Sequence, residues 1–364
     1  VKKYLRITGS LLLLALLGWR LDWGQVARSF ASVKITWWLG AVGLYGCAQC
    51  LSVVRWQMMA RVLGFAGRWR QYLAWYFIGM FFNLVLPTSV GGDVIRAWYL
   101  SEQHRAGHVT QRSKRPRQAP TAGTRLRALT SVVSERANGL VVLILISTLA
   151  TALSPLSLPP WIVTTVALAG GACLAGLLVL PLLGYLRPLV MPFPRLLGIV
   201  DTACLYLKHP GALAGATLLS LVIQSANVVL AWLVGQSLGL AVPLSYFAIA
   251  FPLVTLLTLL PISVNGMGLR EAGLVMLLAP VGVAPAQAVT LSLLIFAALA
   301  LASLLGAGFH AWGAGSATQP GVPEDEAHRM LLPPWEANKE TASDAHPVGD
   351  HSHQGRDRQP PAAA

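Results

Sequence analysis

The chain has 364 residues, 55% of them hydrophobic and only 11% charged, with a mean hydropathy of +0.61. Soluble globular proteins carry about a quarter of their residues as charges, so this composition excludes an ordinary soluble enzyme and requires a polytopic membrane protein. The formal charge of +13 is unevenly spread: residues 1–312 hold 23 Lys and Arg against 6 Asp and Glu, whereas 313–364 hold 4 against 8. The basic residues fall between apolar stretches, where they orient a membrane chain and meet anionic lipid head groups, and no groove-reading or basic-aromatic motif accompanies them, so nucleic acid is excluded as a partner.

In chain order, a basic start (Lys2, Lys3, Arg6) precedes an apolar run from Ile7 to Trp19 with no small-residue cleavage site after it, which predicts an N-terminal membrane anchor. Five further crossings are predicted at about 36–54, 130–153, 161–184, 212–238 and 286–312, each bounded by charge, Pro or Gly. No Asp, Glu, Lys or Arg occurs in 137–186, 209–269 or 272–323. The basic loops 55–70, 96–127 and 185–208 are expected on the cytoplasmic side, with both termini, and the uncharged loops Ser154–Pro160 and Gly239–Ser245 on the other. Within them, 101–127 reads as a basic, mobile cytoplasmic loop, and 313–364 as a disordered polar tail. The four cysteines, Cys47, Cys50, Cys173 and Cys204, lie in or beside apolar segments and read as small packing residues.

The stretch 71–95 fits no simple crossing. Gln71–Leu86 is apolar but short, runs into Pro87 and Gly91-Gly92, and lies between two basic flanks, a pattern that predicts a re-entrant hairpin. Leu86-Pro87-Thr88-Ser89-Val90-Gly91-Gly92-Asp93-Val94-Ile95-Arg96 recurs without gaps 174 residues later as Leu260-Pro261-Ile262-Ser263-Val264-Asn265-Gly266-Met267-Gly268-Leu269-Arg270, and Phe77 matches Phe251 at the same offset. With three crossings between the copies the repeat is inverted, giving an all-α domain over 1–312 with half-repeats at about 5–153 and 161–312, roughly six transmembrane helices and two re-entrant hairpins.

Charges inside such a domain mark the candidate site. Arg55, Asp93, Arg96, Glu135, Arg136, Arg270 and Glu271 lie at or near predicted spans and loops. Arg96 and Arg270, with the backbone N–H groups freed at Gly91, Gly92, Gly266 and Gly268, are candidates for holding a lipid phosphate. Asp93, Glu135, Arg136 and Glu271 would set local charge or carry protons. Asn83, Asn138 and Asn265, and less distinctively Gln224 and Asn227, offer a polar path. No hydrolase, nucleotide-binding or metal motif is present, so no catalytic residue, metal or cofactor is assigned.

The combination Asn83-x-x-Leu86-Pro87-x-x-x-Gly91-Gly92-Asp93-x-x-Arg96, Glu135-Arg136-x-x-Gly139-Leu140 and Pro261-x-Ser263-x-x-Gly266-x-Gly268-x-Arg270-Glu271, with Arg55-Trp56, resembles the flippase-like membrane domain of the lysylphosphatidylglycerol synthase family over about residues 5–312. The resemblance implies an inner-membrane protein of a bacterium or archaeon that moves a lipid between leaflets. Two-part members of that family add a soluble aminoacyl-transferase domain, for which the polar residues after 312 are too few. The expected function is therefore translocation of a phosphate-bearing lipid without enzymatic activity, and a homo-oligomer is compatible with it. The alternatives are a membrane-embedded transferase or accessory subunit, with Asp93 or Glu271 as general base, and a non-catalytic membrane scaffold.

Overall fold

The computed structural model describes residues 18–19, 21–86, 91–109, 122–260, 263 and 266–311. Among the described residues there is no strand, and the helices are α1 (Trp23–Ala31), α2 (Ile35–Val62), α3 (Trp69–Val85), α4 (Gly91–Val109), α5 (Ala122–Ala152), α6 (Pro160–Val179), α7 (Leu183–Val190), α8 (Pro194–Leu207), α9 (Pro210–Ser237), α10 (Leu244–Thr258), α11 (Leu269–Leu278) and α12 (Pro285–Ala311). Among the described residues, five helical stretches are long and apolar enough to cross a membrane: Ile35–Val62, Gly123–Ala152, Pro160–Leu182, Pro210–Ser237 and Pro285–Ala311. At 1.5 Å per residue, each is longer than the roughly 30 Å hydrocarbon layer. This is an all-α, multi-pass membrane protein.

Helix boundaries follow local chemistry. Pro160, Pro194 and Pro210 sit in the first turns of their helices, where a missing N–H costs no intrahelical bond. Gly64, after α2, and Gly239, after α9, have φ of +85° and +70°, the left-handed conformation that stops a helix. Asp22 caps α1 by accepting from the N–H groups of Gly24 and Gln25 at 2.9 and 3.2 Å.

Three expectations change. The second span runs on through Arg55 to Val62, because Arg55 finds a carboxylate partner inside the bundle. The basic stretch 101–127 is helical at both ends, as α4 continues to Val109 and α5 begins at Ala122, and only 110–121 lies outside the described residues. The connection 185–208 is not a loop but the pair α7 and α8, joined by an exposed Arg187–Asp201 ion pair at 2.9 Å. The first anchor, apart from Gly18 and Trp19, and the tail lie outside the described residues.

The internal repeat is visible in three dimensions. Helices α2 and α9 begin at residues 35 and 210, and α3 and α10 at 69 and 244, both 175 residues apart. The interfaces obey the same exchange: α3 packs on α12 as α10 packs on α5, α4 on α5 as α11 on α12, and α2 on α12 as α9 on α5. The equivalent helices α2 and α9 form the most extensive interface and lie antiparallel. Lys34 N–H donates to Ser237 O at 2.8 Å at one end, and Arg55 Nη1 donates to Ser220 Oγ at 2.7 Å further along. The repeat is thus inverted within the fold.

Helices α3 and α4 form a tight antiparallel hairpin. Gln71 meets Gln103 at 2.7 Å, the rings of Trp75 and Tyr99 stack at 6.2 Å, and Gly79 meets Gly92 near the tip. A Cβ on Gly92 would lie 1.8 Å from the Gly79 carbonyl oxygen, and one on Gly306 of α12 would lie 2.0 Å from Phe77 O. Glycine therefore fixes how closely α3 is held between α4 and α12, the small-residue packing on which membrane helices depend. Helices α10 and α11 form the second hairpin, with Tyr246 Oη donating to Leu277 O and Gly273 against Leu257 and Val254.

Candidate functional site

Five charged side chains from three helices meet in the first half of the bundle. Glu135 on α5 accepts from Arg55 Nη2 on α2 through Oε1 and from Arg96 Nη2 on α4, at 2.9 Å, through Oε2. Asp93, one turn before Arg96, lies 3.2 Å from Arg96 Nε and pairs in a fork with Arg136, accepting from Nε at 2.6 Å and Nη2 at 2.8 Å. The side chains of Arg55, Asp93, Arg96 and Glu135 are only 2–7% exposed, whereas that of Arg136 is 52% exposed.

Aromatic and polar groups complete the setting. The Arg96 guanidinium lies over the rings of Trp56 and Tyr76, at 5.1 and 4.9 Å from their centroids, a cation–π arrangement that holds it in place. Trp56 Nε1 donates to Ser131 Oγ at 3.2 Å. Ser220 on α9 accepts from Arg55 and donates to Asn138 Oδ1, whose Nδ2 donates to Thr217 Oγ1 at 3.0 Å. Through Ser220 the cluster reaches the other half of the repeat.

A second, smaller cluster sits at the start of α11. Arg270 Nη2 donates to Glu271 Oε1 at 2.9 Å, Arg270 Nε donates to Ser292 Oγ of α12 at 2.8 Å, and Ser292 donates to Glu271 Oε1 at 2.7 Å. Arg270 also lies over Phe296, 5.1 Å from its centroid. Glu271 Oε2 accepts the N–H of Gly268 at 2.7 Å.

These contacts reassign several expected roles. Arg96 is closed in by two carboxylates and two rings, so it meets a phosphate only if one of them yields. The Gly92 N–H donates to Asn83 Oδ1 at 2.8 Å and that of Gly268 to Glu271, so neither backbone donor is free for an anion. Gly91 is buried, and Gly92 serves close packing. Gly266 and Gly268 adopt φ of +73° and +84°, conformations that side chains rarely take, and the turn into α11 requires them. Asn83 and Asn138 join helices, Gln224 Nε2 donates to Gly139 O at 3.0 Å and Asn227 donates to Gln224, while Asn265 lies outside the described residues.

Asp93, Arg96, Glu135 and Arg136 are brought together as one unit with Arg55. Arg270 and Glu271 form a separate one. Ser220 and Tyr76 were not expected: an uncharged serine or tyrosine in an apolar span carries no spacing signal. Among the described residues no three His, Cys, Asp or Glu converge as a metal site.

No curated protein and no solved structure matches the chain. The family model described as the lysylphosphatidylglycerol synthase TM region matches residues 4–306, a stretch that holds both hairpins, the buried five-charge cluster and the second arginine-carboxylate cluster. The chain belongs to the lysylphosphatidylglycerol synthase transmembrane-region family, whose description points to a membrane protein involved in lipid handling.

Proposed function

We propose that the protein is a lipid translocator of a bacterial or archaeal inner membrane, moving a phosphate-bearing lipid between leaflets without making or breaking covalent bonds. The observation that carries this reading is the five-charge cluster enclosed between α2, α4 and α5 and tied to α9. Charges at this depth are costly in a membrane protein and ordinarily mark a substrate or ion path. The cluster belongs to one inverted half and is tied to the other through Ser220, and proteins built from inverted halves expose a central site alternately to each side.

In this reading α3–α4 and α10–α11 are re-entrant hairpins that enter from opposite faces, because an odd number of spans, Gly123–Ala152, Pro160–Leu182 and Pro210–Ser237, separates them. The exposed arginines of the connecting segments lie against anionic head groups. Asp93, Glu135 and Glu271, each already bound to a guanidinium, set the local charge.

The test is transport of head-group-labelled phosphatidylglycerol and phosphatidylcholine in proteoliposomes, with and without an imposed membrane potential. The unmodified chain is compared with Glu135→Gln and Arg270→Gln variants verified as folded. Protein-dependent movement that falls at least tenfold in both variants is expected. Movement no faster than in protein-free liposomes for every lipid and potential would refute translocation of these lipids.

A further inference from the structure

The buried cluster is one negative charge short. Three guanidiniums, Arg55, Arg96 and Arg136, face two carboxylates, Asp93 and Glu135. Of the other carboxylates among the described residues, Asp22, Asp201 and Glu271 make their contacts elsewhere. Glu102 lies nine residues along α4 from Asp93, about 13 Å of helix.

The surplus charge has one outlet. Arg55 and Arg96 are sealed in, whereas Arg136 is half exposed and keeps Nη1 without a partner among the described residues. Arg136 lies inside its crossing, six residues and about 9 Å of helix past the predicted boundary at 130. An exposed guanidinium there turns to head groups or a polar cavity rather than to hydrocarbon. Tyr76 of α3, whose ring centroid lies 4.9 Å from the Arg96 guanidinium, brings a phenol to the same cluster. A phenolic donor beside a cation suits a phosphate oxygen.

Building on the translocator reading, we infer that Arg136, the half-exposed cation of a cluster that also holds Tyr76, is the head-group contact of this protein and selects a phosphodiester lipid carrying one net negative charge. Such a head group neutralises the cluster. A zwitterionic one brings an ammonium toward a site that already has a cation in excess, and binds less well. Asp93 is the internal anion that the phosphodiester displaces from, or shares with, the guanidinium fork.

The experiment is native mass spectrometry of the full chain in neutral detergent, incubated with equimolar phosphatidylglycerol and phosphatidylcholine, with and without millimolar inorganic phosphate. The expected result is retention of phosphatidylglycerol over phosphatidylcholine by about tenfold, the scale of one charge-assisted contact, unaffected by inorganic phosphate. The ratio falls to about one in Arg136→Gln, falls several-fold in Tyr76→Phe, and is kept in Arg70→Gln, which removes an exposed charge outside the cluster. An unchanged ratio in Arg136→Gln, an equal fall in Arg70→Gln, or displacement by inorganic phosphate overturns the assignment. If Arg136→Gln does not fold, Tyr76→Phe decides, since it keeps the ring, and an unchanged ratio there is equally decisive against it. Lipid movement that persists in Arg136→Gln with an unchanged ratio defeats this assignment alone. Arg136-dependent retention without any lipid movement defeats translocation alone.

Discussion

Removing the charge of Glu135 tests the buried cluster most directly. Glu135 is the carboxylate shared by Arg55 and Arg96, all three being no more than 6% exposed. Glu135→Gln keeps the shape and one acceptor oxygen but leaves two enclosed guanidiniums facing each other with Asp93 as the only remaining anion. Breaking one buried ion pair by losing a partner costs about 3–5 kcal/mol, because the other charge stays buried and uncompensated. A buried hydrogen bond from a guanidinium to a hydroxyl is worth about 1.5–3 kcal/mol. The expected destabilisation is therefore about 3–5 kcal/mol for Glu135→Gln and about 1.5–3 kcal/mol for Ser220→Ala, which removes one charge-assisted hydrogen bond of Arg55. The assay is reversible unfolding of the detergent-solubilised protein by SDS, read from tryptophan fluorescence. Pairing Glu135→Gln with Arg96→Gln should recover part of the loss, since the second substitution removes one of the stranded charges. A Glu135→Gln cost below about 1 kcal/mol would refute the claim that these groups are an enclosed, mutually dependent set.

Three further outcomes follow from geometry. Gly92→Ala puts a methyl 1.8 Å from a backbone oxygen that has no flexible end to move, so folded protein should be lost on size-exclusion chromatography; Gly171→Ala, with nothing within 4 Å, should elute like the unmodified chain. Asp201→Asn breaks an ion pair whose side chains are 57% and 45% exposed, and the unfolding free energy should change by no more than about 1 kcal/mol. Single cysteines at Trp69 and Leu244, the exposed first residues of the two hairpins, should react with a membrane-impermeant maleimide from opposite faces; labelling of both from one face contradicts the inverted membrane topology.

The sequence by itself determined the membrane class, the apolar spans and the repeat, since these rest on local composition and punctuation. The span expected at 212–238 is Pro210–Ser237, closed by Gly239, because proline and glycine mark its ends whatever packs against it. The in-register match of Leu86–Arg96 with Leu260–Arg270 likewise pointed to two related hairpins, now seen as α3–α4 and α10–α11. Only the tertiary structure decided which charges meet and which stay open. Arg55 and Glu135 are 80 residues apart, and nothing in either segment records that the other would neutralise it. Arg96 looked like the phosphate contact because its neighbours in sequence are glycines, yet its neighbours in space are Glu135, Asp93, Trp56 and Tyr76. Arg136 was grouped with the charge-setting residues and is the half-exposed cation. Apolar periodicity fixes which segments enter the membrane, because transfer energy is summed residue by residue, but the partner of a buried charge is set by helix packing and is not local to the chain.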